Sequence, residues 1–306
     1  MNGKPSILIT GATGTIGQAI TEQLILLGYT VTVVVRNLKT SKALFDDAVN
    51  HVVFDGEAFS PGLDTLRTDI VIHLASYSTS QDEKKEIIRL IDSNIVFVSL
   101  LLKELEHSHL KLFVNAGSFS EFHRNDGVLE PTYFYSATKS ASCSIIDYFS
   151  KLHGFIFVNA VLYSVYGREA KQKKIVDYMI DATRSDQPVP MSEGHQVLDF
   201  IHIDDVVGFY LLLIQNYNSL STPYHMYHIG TGKGTSIHEL ADIVSRIGGV
   251  QPNVLWNGRQ ARSRDTLKAI ADTGGVEKEL GWKPSVPLIS GLQKYMRVYG
   301  RDNAKS

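Results

Sequence analysis

Ser6-Ile7-Leu8-Ile9-Thr10-Gly11-Ala12-Thr13-Gly14-Thr15-Ile16-Gly17 is the stretch on which the fold turns. Its first half is a short run of aliphatic and β-branched residues, the signature of a strand buried on both faces. Glycines follow at once, and a helical stretch over about residues 15–27 follows them. Glycine lets the backbone turn sharply, approach a pyrophosphate closely and pack the helix on the strand. The helix N-terminus then offers N–H groups and positive partial charge to phosphate. Gly11, Thr13, Gly14, Thr15, Ile16 and Gly17 are therefore expected to hold a dinucleotide. The spacing is G-x-x-G-x-x-G, not the more common G-x-G-x-x-G.

The same rhythm continues outward. Apolar runs at 30–35, 51–54, 69–74, 111–115 and 155–161 alternate with helical stretches, among them about 82–107 and 133–153. Alternation with short connections predicts an α/β fold, a doubly wound parallel (Rossmann) sheet. Beyond Tyr163 the rhythm degrades, which predicts a smaller, mostly C-terminal lobe. The expected division gives 1–162 and 199–231 to the dinucleotide-binding domain. Residues 163–198 and 232–306 then form the substrate-binding lobe, with 199–203 and 225–229 returning to the large sheet. Gly230-Thr231-Gly232-Lys233-Gly234-Thr235 looks like a phosphate loop, but Gly replaces the Ser/Thr needed after Lys, so a plain turn is expected.

Cofactor choice is read at the end of the second strand. An Asp there would accept from a ribose 2′-hydroxyl, whereas Arg suits a 2′-phosphate. This chain has Arg36, then Lys39, Ser41 and Lys42, which favours NADP over NAD. Asp55, after the third strand, is a candidate acceptor for the adenine amino group.

Tyr135 and Lys139 are four apart on a predicted helix and so share a face. A neighbouring cation is expected to lower a phenol's pKa from about 10 and fit it for proton transfer. Ser118 follows the strand at 111–115, at the end where such sheets place ligands.

Together with His73-Leu74-Ala75-Ser76, Asn94, Val165-Tyr166-Gly167, Asp199-Phe200-Ile201-His202-Ile203-Asp204-Asp205 and Leu280-Gly281-Trp282-Lys283-Pro284, these motifs resemble the extended short-chain dehydrogenase/reductases. The likeness runs nearly end to end and points to the nucleotide-sugar epimerase/dehydratase branch. Asn115-Ala116-Gly117-Ser118 and the short Ser-to-Tyr loop look most like nucleoside-diphosphate 4-keto-6-deoxyhexose reductases of the abequose and paratose synthase type. The resemblance implies Tyr135 as acid/base, Lys139 also on the nicotinamide ribose, and Ser118 orienting the carbonyl. It implies Leu74, Ala75, Ser76 and Asn94 at the cofactor, Phe119 and Ser164 at the substrate, and Arg262 on its pyrophosphate. The pattern departs at Val161, Ser164 and Arg168, where Arg, Asn and Pro are usual, and at Leu198, which stands for an Arg.

The activity so implied is NADPH-dependent reduction of the C4 carbonyl of a nucleotide-linked 4-keto-6-deoxyhexose. An NAD-dependent nucleotide-sugar 4-epimerase is the alternative, and a catalytically silent NADP-binding regulator is an alternative of another class. A 4,6-dehydratase fits less well, because Phe119-Ser120 stands where such enzymes carry Asp-Glu.

Composition agrees with an enzyme free in the cytoplasm. Thirty Lys+Arg against 32 Asp+Glu leave no basic excess for nucleic acid. Cys143 is the single cysteine, so an intrachain disulfide and a four-Cys zinc site are excluded. No apolar run reaches the ~20 residues of a membrane helix, and the N-terminus reads as no secretory signal. The eleven histidines form no metal-binding motif. Excess apolar residues on the helices at 82–107 and 133–153 predict a homodimer built on them.

Overall fold

The computed structural model describes residues 4–260 and 264–299. In chain order its strands are β1 (Ile7–Thr10), β2 (Val31–Val35), β3 (Asn50–Phe54), β4 (Phe59–Ser60), β5 (Ile70–His73), β6 (Leu112–Ser118) and β7 (Ile156–Leu162). There follow β8 (Ser164–Tyr166), β9 (Val189–Pro190), β10 (Val197–His202), β11 (Tyr224–Ile229), β12 (Gly234–Ser236), β13 (Val254–Leu255) and β14 (Lys268–Ala269). The helices are α1 (Thr15–Leu26), α2 (Leu38–Phe45), α3 (Lys84–Ile91), α4 (Phe97–Glu104) and α5 (Phe134–His153). After them come α6 (Ile175–Ala182), α7 (Ile203–Asn216), α8 (Ile237–Gly248), α9 (Gly274–Leu280) and α10 (Leu288–Val298).

The large sheet runs β11-β7-β6-β5-β1-β2-β3-β4, parallel except for the β3–β4 pair. Every residue of β1, β2 and β5 is buried, which is why those strands read as unbroken apolar runs. Successive side chains feed opposite layers. Ile7 and Ile9 pack with Ile20 and Leu24 of α1 and with Val206, Phe209 and Leu213 of α7. Leu8, Val71 and Phe113 pack on the other face with Val98 and Leu101 of α4 and Ile146 of α5. Strand order reverses between β1 and β5, and such a switch leaves a crevice beyond the C-terminal strand ends.

A smaller sheet, β12-β10-β14 with β8 also on β10, belongs to a second core. There Phe200 meets Met179 and Ile180 of α6, Leu240 and Val244 of α8, and Leu292 and Tyr295 of α10. Here the structure corrects one expectation. The segment at 199–203 joins this sheet as β10 and does not return to the large one, whereas 225–229 does return, as β11 beside β7. An apolar run records that a strand is buried, not which strand it pairs with. The helix expected at 82–107 is also divided, with a π-helical turn at Asp92–Val96 between α3 and α4. Among the described residues, no helix is long and apolar enough to cross a membrane.

Candidate active site

The glycine turn is a bare cradle at the switch point. Gly11 has φ +72°, and a Cβ on it would lie 2.6 Å from the Ala75 backbone nitrogen, so the loops after β1 and β5 touch only because residue 11 has no side chain. A Cβ on Gly17 would lie 2.2 Å from the Gly11 carbonyl oxygen, which seats α1 directly on the turn. Gly14 is exposed and caps α1 without a side-chain hydrogen bond, so no side chain covers the first N–H groups of the helix. Thr13, Thr15 and Ile16 flank it, half-buried. These groups fit a dinucleotide pyrophosphate, with Leu74, Ala75 and Ser76 forming the facing loop.

Arg36 emerges exposed from the end of β2, with Lys39 and Lys42 exposed close by on α2. Ser41, expected among the donors here, is instead fully buried and bonds His51 Nδ1 at 3.0 Å. Asn37 caps α2 by accepting from the Thr40 N–H at 3.0 Å. Asp55 accepts the N–H groups of Glu57 and Ala58 at 2.9 and 2.8 Å, which hold its carboxyl below the usual range.

Ser118, Tyr135 and Lys139 converge at the C-terminal end of β6. The α5 helix carries Tyr135 and Lys139 in its first turns, and Lys139 is 2% exposed. The direction of the phenol's shift departs from the sequence expectation. Burial pushes the Tyr135 phenol up and the Glu121 carboxylate adds to the rise, while the hydroxyls of Ser76, Ser78 and Ser118 favour the ionised form. Burial also lowers the Lys139 ammonium, opposed by Glu121 and Cys143. Desolvation is the main influence on the phenol.

Two of these neighbours were not anticipated. Ser78 lies in an irregular loop that gives no periodic signal. Glu121 closes a capping box with Ser118 across a 3₁₀ turn, and its S-x-x-E spacing was legible in Ser118-Phe119-Ser120-Glu121.

Asn94 sits in the π-helical turn and is fully engaged with the protein. Its Oδ1 accepts from Ser76 Oγ (3.1 Å) and the Tyr77 N–H (2.8 Å), and its Nδ2 donates to the Tyr77 carbonyl (3.0 Å) and Thr138 Oγ1 (2.9 Å). Asn94 thus ties the loop after β5 to α5, the two pieces that flank the crevice.

The wall facing Ser118 is aromatic. The Phe119 and Tyr163 rings stack at 5.8 Å, Tyr163 shares a 3.0 Å hydrogen bond with His228 Nδ1, and Phe122 lies 5.2 Å from that imidazole. Val161, Leu198, Ala269 and Ala271 pack with them. Ser164 opens β8, paired with Phe200. Arg168 lies off this wall and grips Glu22 of α1 with two nitrogens, at 2.8 and 2.6 Å. Arg262 lies outside the described residues. The loop 230–232 is occupied by the protein's own anion, since the N–H groups of Thr231 and Gly232 point at the Asp199 carboxylate.

Residues 7–230 match the NAD dependent epimerase/dehydratase family. The chain belongs to that family. Among curated proteins, the chain is similar to a CDP-abequose synthase of Salmonella typhimurium, 27% identical over 96% of this chain and 98% of that protein. A CDP-abequose synthase of Yersinia pseudotuberculosis is 30% identical over 69% of this chain and 74% of that protein. Among solved structures, MoeE5 in complex with UDP-glucose and NAD superposes with a TM-score of 0.86, at 23% identity over 98% of this chain and 100% of that one. The UDP-glucuronic acid 4-epimerase of Bacillus cereus, in complex with UDP-glucuronic acid and NAD, superposes at 0.83 with 20% identity over 95% and 98%. Both confirm the doubly wound fold. The chain is accordingly an NAD(P)-dependent enzyme of the nucleotide-sugar epimerase/dehydratase/reductase type.

Proposed function

We propose that the protein reduces the C4 carbonyl of a nucleoside-diphosphate 4-keto-6-deoxyhexose with NADPH. The observation that carries this reading is the meeting of Ser118, Tyr135 and Lys139 beside the cradle, with a phenol held in its protonated form by burial. A reductase needs its tyrosine to give a proton, and a protonated phenol is poised to do so. The names of the curated relatives, CDP-abequose synthases, support the same chemistry. When bound in the cradle, NADPH would supply the hydride. Tyr135 protonates the carbonyl oxygen as negative charge develops on it, Ser118 orients that oxygen, and Lys139 holds the cofactor ribose. Phe119, Tyr163 and Leu198 offer the sugar an apolar wall, suited to a 6-deoxy carbon.

A 4-epimerase is the second reading, favoured by the likeness to the Bacillus cereus epimerase fold. One assay separates them. Supplied with NADPH and, in turn, the CDP-, GDP- and UDP-linked 4-keto-6-deoxyglucoses, the protein should consume one of the sugars and NADPH in equal amounts. Interconversion of C4 epimers without net NADPH oxidation would replace the reductase reading.

Cofactor preference and assembly follow from the same picture. Titration should give tighter binding of NADPH than NADH, and Arg36→Asp should weaken NADPH by ~1.5–3 kcal/mol through loss of a charge-assisted contact to the 2′-phosphate. Tighter NADH binding by the native protein would refute the assignment. The exposed Ile88 and Ile91 of α3 and Tyr148 and Leu152 of α5 leave an apolar surface suited to pairing with a second copy across a two-fold axis. Light scattering at micromolar concentration should return a dimer, and Tyr148→Asp with Leu152→Asp should return a monomer.

A further inference from the structure

Beneath the reaction centre lies a carboxylate that the proposed chemistry does not use. Glu121 is 1% exposed. One of its oxygens accepts the Ser118 N–H at 2.8 Å and the other the Ser140 hydroxyl of α5 at 2.9 Å. The seat is shaped for it. A Cβ on Gly117 would lie 3.1 Å from the Glu121 oxygen and 2.9 Å from Asn159 Oδ1, so the residue before Ser118 gives up its side chain to this buried polar layer. Asn115 continues the layer, donating to Asn159 Oδ1 at 2.9 Å. A buried carboxylate with only neutral hydrogen-bond donors is costly, and a nearby ammonium offsets that cost.

We infer that Glu121 is a positioning residue of the reaction centre, the buried counter-ion of Lys139 and the clamp that holds Ser118 against α5. This inference rests on the reductase reading and deepens it. The titratable groups that interact with Glu121 are Lys139, Tyr135 and Cys143 from α5 and Tyr224 from β11, while His73 of β5 interacts with Lys139. Burial holds the Cys143 thiol near pKa 12 and the His73 imidazole near 3, so both are neutral at physiological pH. Tyr224 is likewise raised, to about 12. Burial pushes the Glu121 carboxyl up and the Lys139 ammonium down, and their mutual attraction, together with the Ser118 N–H and Ser140 hydroxyl bonds to Glu121, opposes both shifts. In its ionised form Glu121 favours the charged form of Lys139 and keeps the Tyr135 proton on its oxygen. Both effects serve an enzyme that donates a proton to a carbonyl, and the second works against one that must first remove a proton from an alcohol.

Glu121→Gln tests this, because its carbonyl can still accept from Ser118 while its amide donates to the Ser140 oxygen. With 13Cζ-labelled tyrosine in the NADP+-saturated protein, the Tyr135 resonance, assigned by its loss in Tyr135→Phe, should titrate about one pH unit lower in Glu121→Gln than in the native chain. The alkaline limb of NADPH-dependent ketosugar reduction should move down with it. Thermal unfolding of Glu121→Gln, Lys139→Met and the double variant supplies an independent reading. The double variant should melt higher than Lys139→Met alone, since removing the carboxylate relieves an unpaired buried charge. If Glu121→Gln alone does not fold, a double variant that folds supports the pairing, and one that also fails overturns it. An unmoved Tyr135 midpoint in a folded Glu121→Gln overturns the inference. A midpoint that moves in a protein that reduces no ketosugar leaves the inference standing and removes the reductase reading instead.

Discussion

Replacing Tyr135 by Phe should lower kcat for carbonyl reduction by ~10²-fold or more, with NADPH binding and thermal stability close to native. On the proposed reading the phenol is the proton donor of the site, and burial favours its donor form. Phenylalanine keeps the ring and its packing and removes only the proton. Ser118 cannot substitute, because an unactivated hydroxyl is a far weaker acid than a phenol. The sign of the pH dependence follows from the same observation. A phenol raised above its ordinary value stays protonated through neutral pH, so the reductive rate should be flat there and fall only in the alkaline range. The reverse oxidation needs the phenolate and should rise over that alkaline range. Steady-state rates in both directions, with cofactor affinity measured separately, check the prediction. Turnover unchanged in Tyr135→Phe would remove Tyr135 from the chemistry altogether.

The second large effect falls on stability. Asp199→Ala should destabilise the fold by about 3 kcal/mol, read as a lower midpoint in urea. The Asp199 carboxylate is fully buried and accepts from the Thr231 N–H (2.8 and 2.9 Å), the Thr231 hydroxyl (2.6 Å), the Gly232 N–H (2.8 Å) and the Ala271 N–H (3.2 Å). It therefore pins β10, the loop after β11 and the segment after β14 to one another. Alanine leaves those donors without their acceptor, the Ala271 N–H among them buried away from water. Asparagine is a poor replacement, because its NH2 group must face at least one of the same N–H donors. Gly230 belongs to this device, since a Cβ there would lie 2.6 Å from an Asp199 oxygen. A midpoint within experimental error of native would show that solvent satisfies these groups.

Much of the molecule was legible from residues alone, for identifiable reasons. Strands β1, β2 and β5 are buried on both faces, so composition alone marks them. The glycines at 14 and 17 answer to backbone a few residues away, a local cause that leaves a local signal, whereas Gly11 also makes room for Leu74 and Ala75 of the loop after β5. Tyr135 and Lys139 share a helix, so their spacing already placed them on one face. Long-range pairing left no such trace. Whether 197–202 would join the large sheet or the small one depended on β8, β12 and β14, far apart in sequence. The loop 230–232 reads as a plain turn rather than a phosphate site, but only folding shows that Asp199, 32 residues away, accepts its N–H groups. The direction of the Tyr135 shift was likewise beyond a four-residue spacing. A helical pair predicts that a cation is near, but a pKa also depends on how much water the fold removes and which other charges it brings close. Here the tertiary structure buries the pair and sets Glu121 beneath it. Sequence sufficed wherever the deciding contact lay within a turn of helix or strand. The fold alone decided wherever desolvation, or a partner from another element, set the outcome.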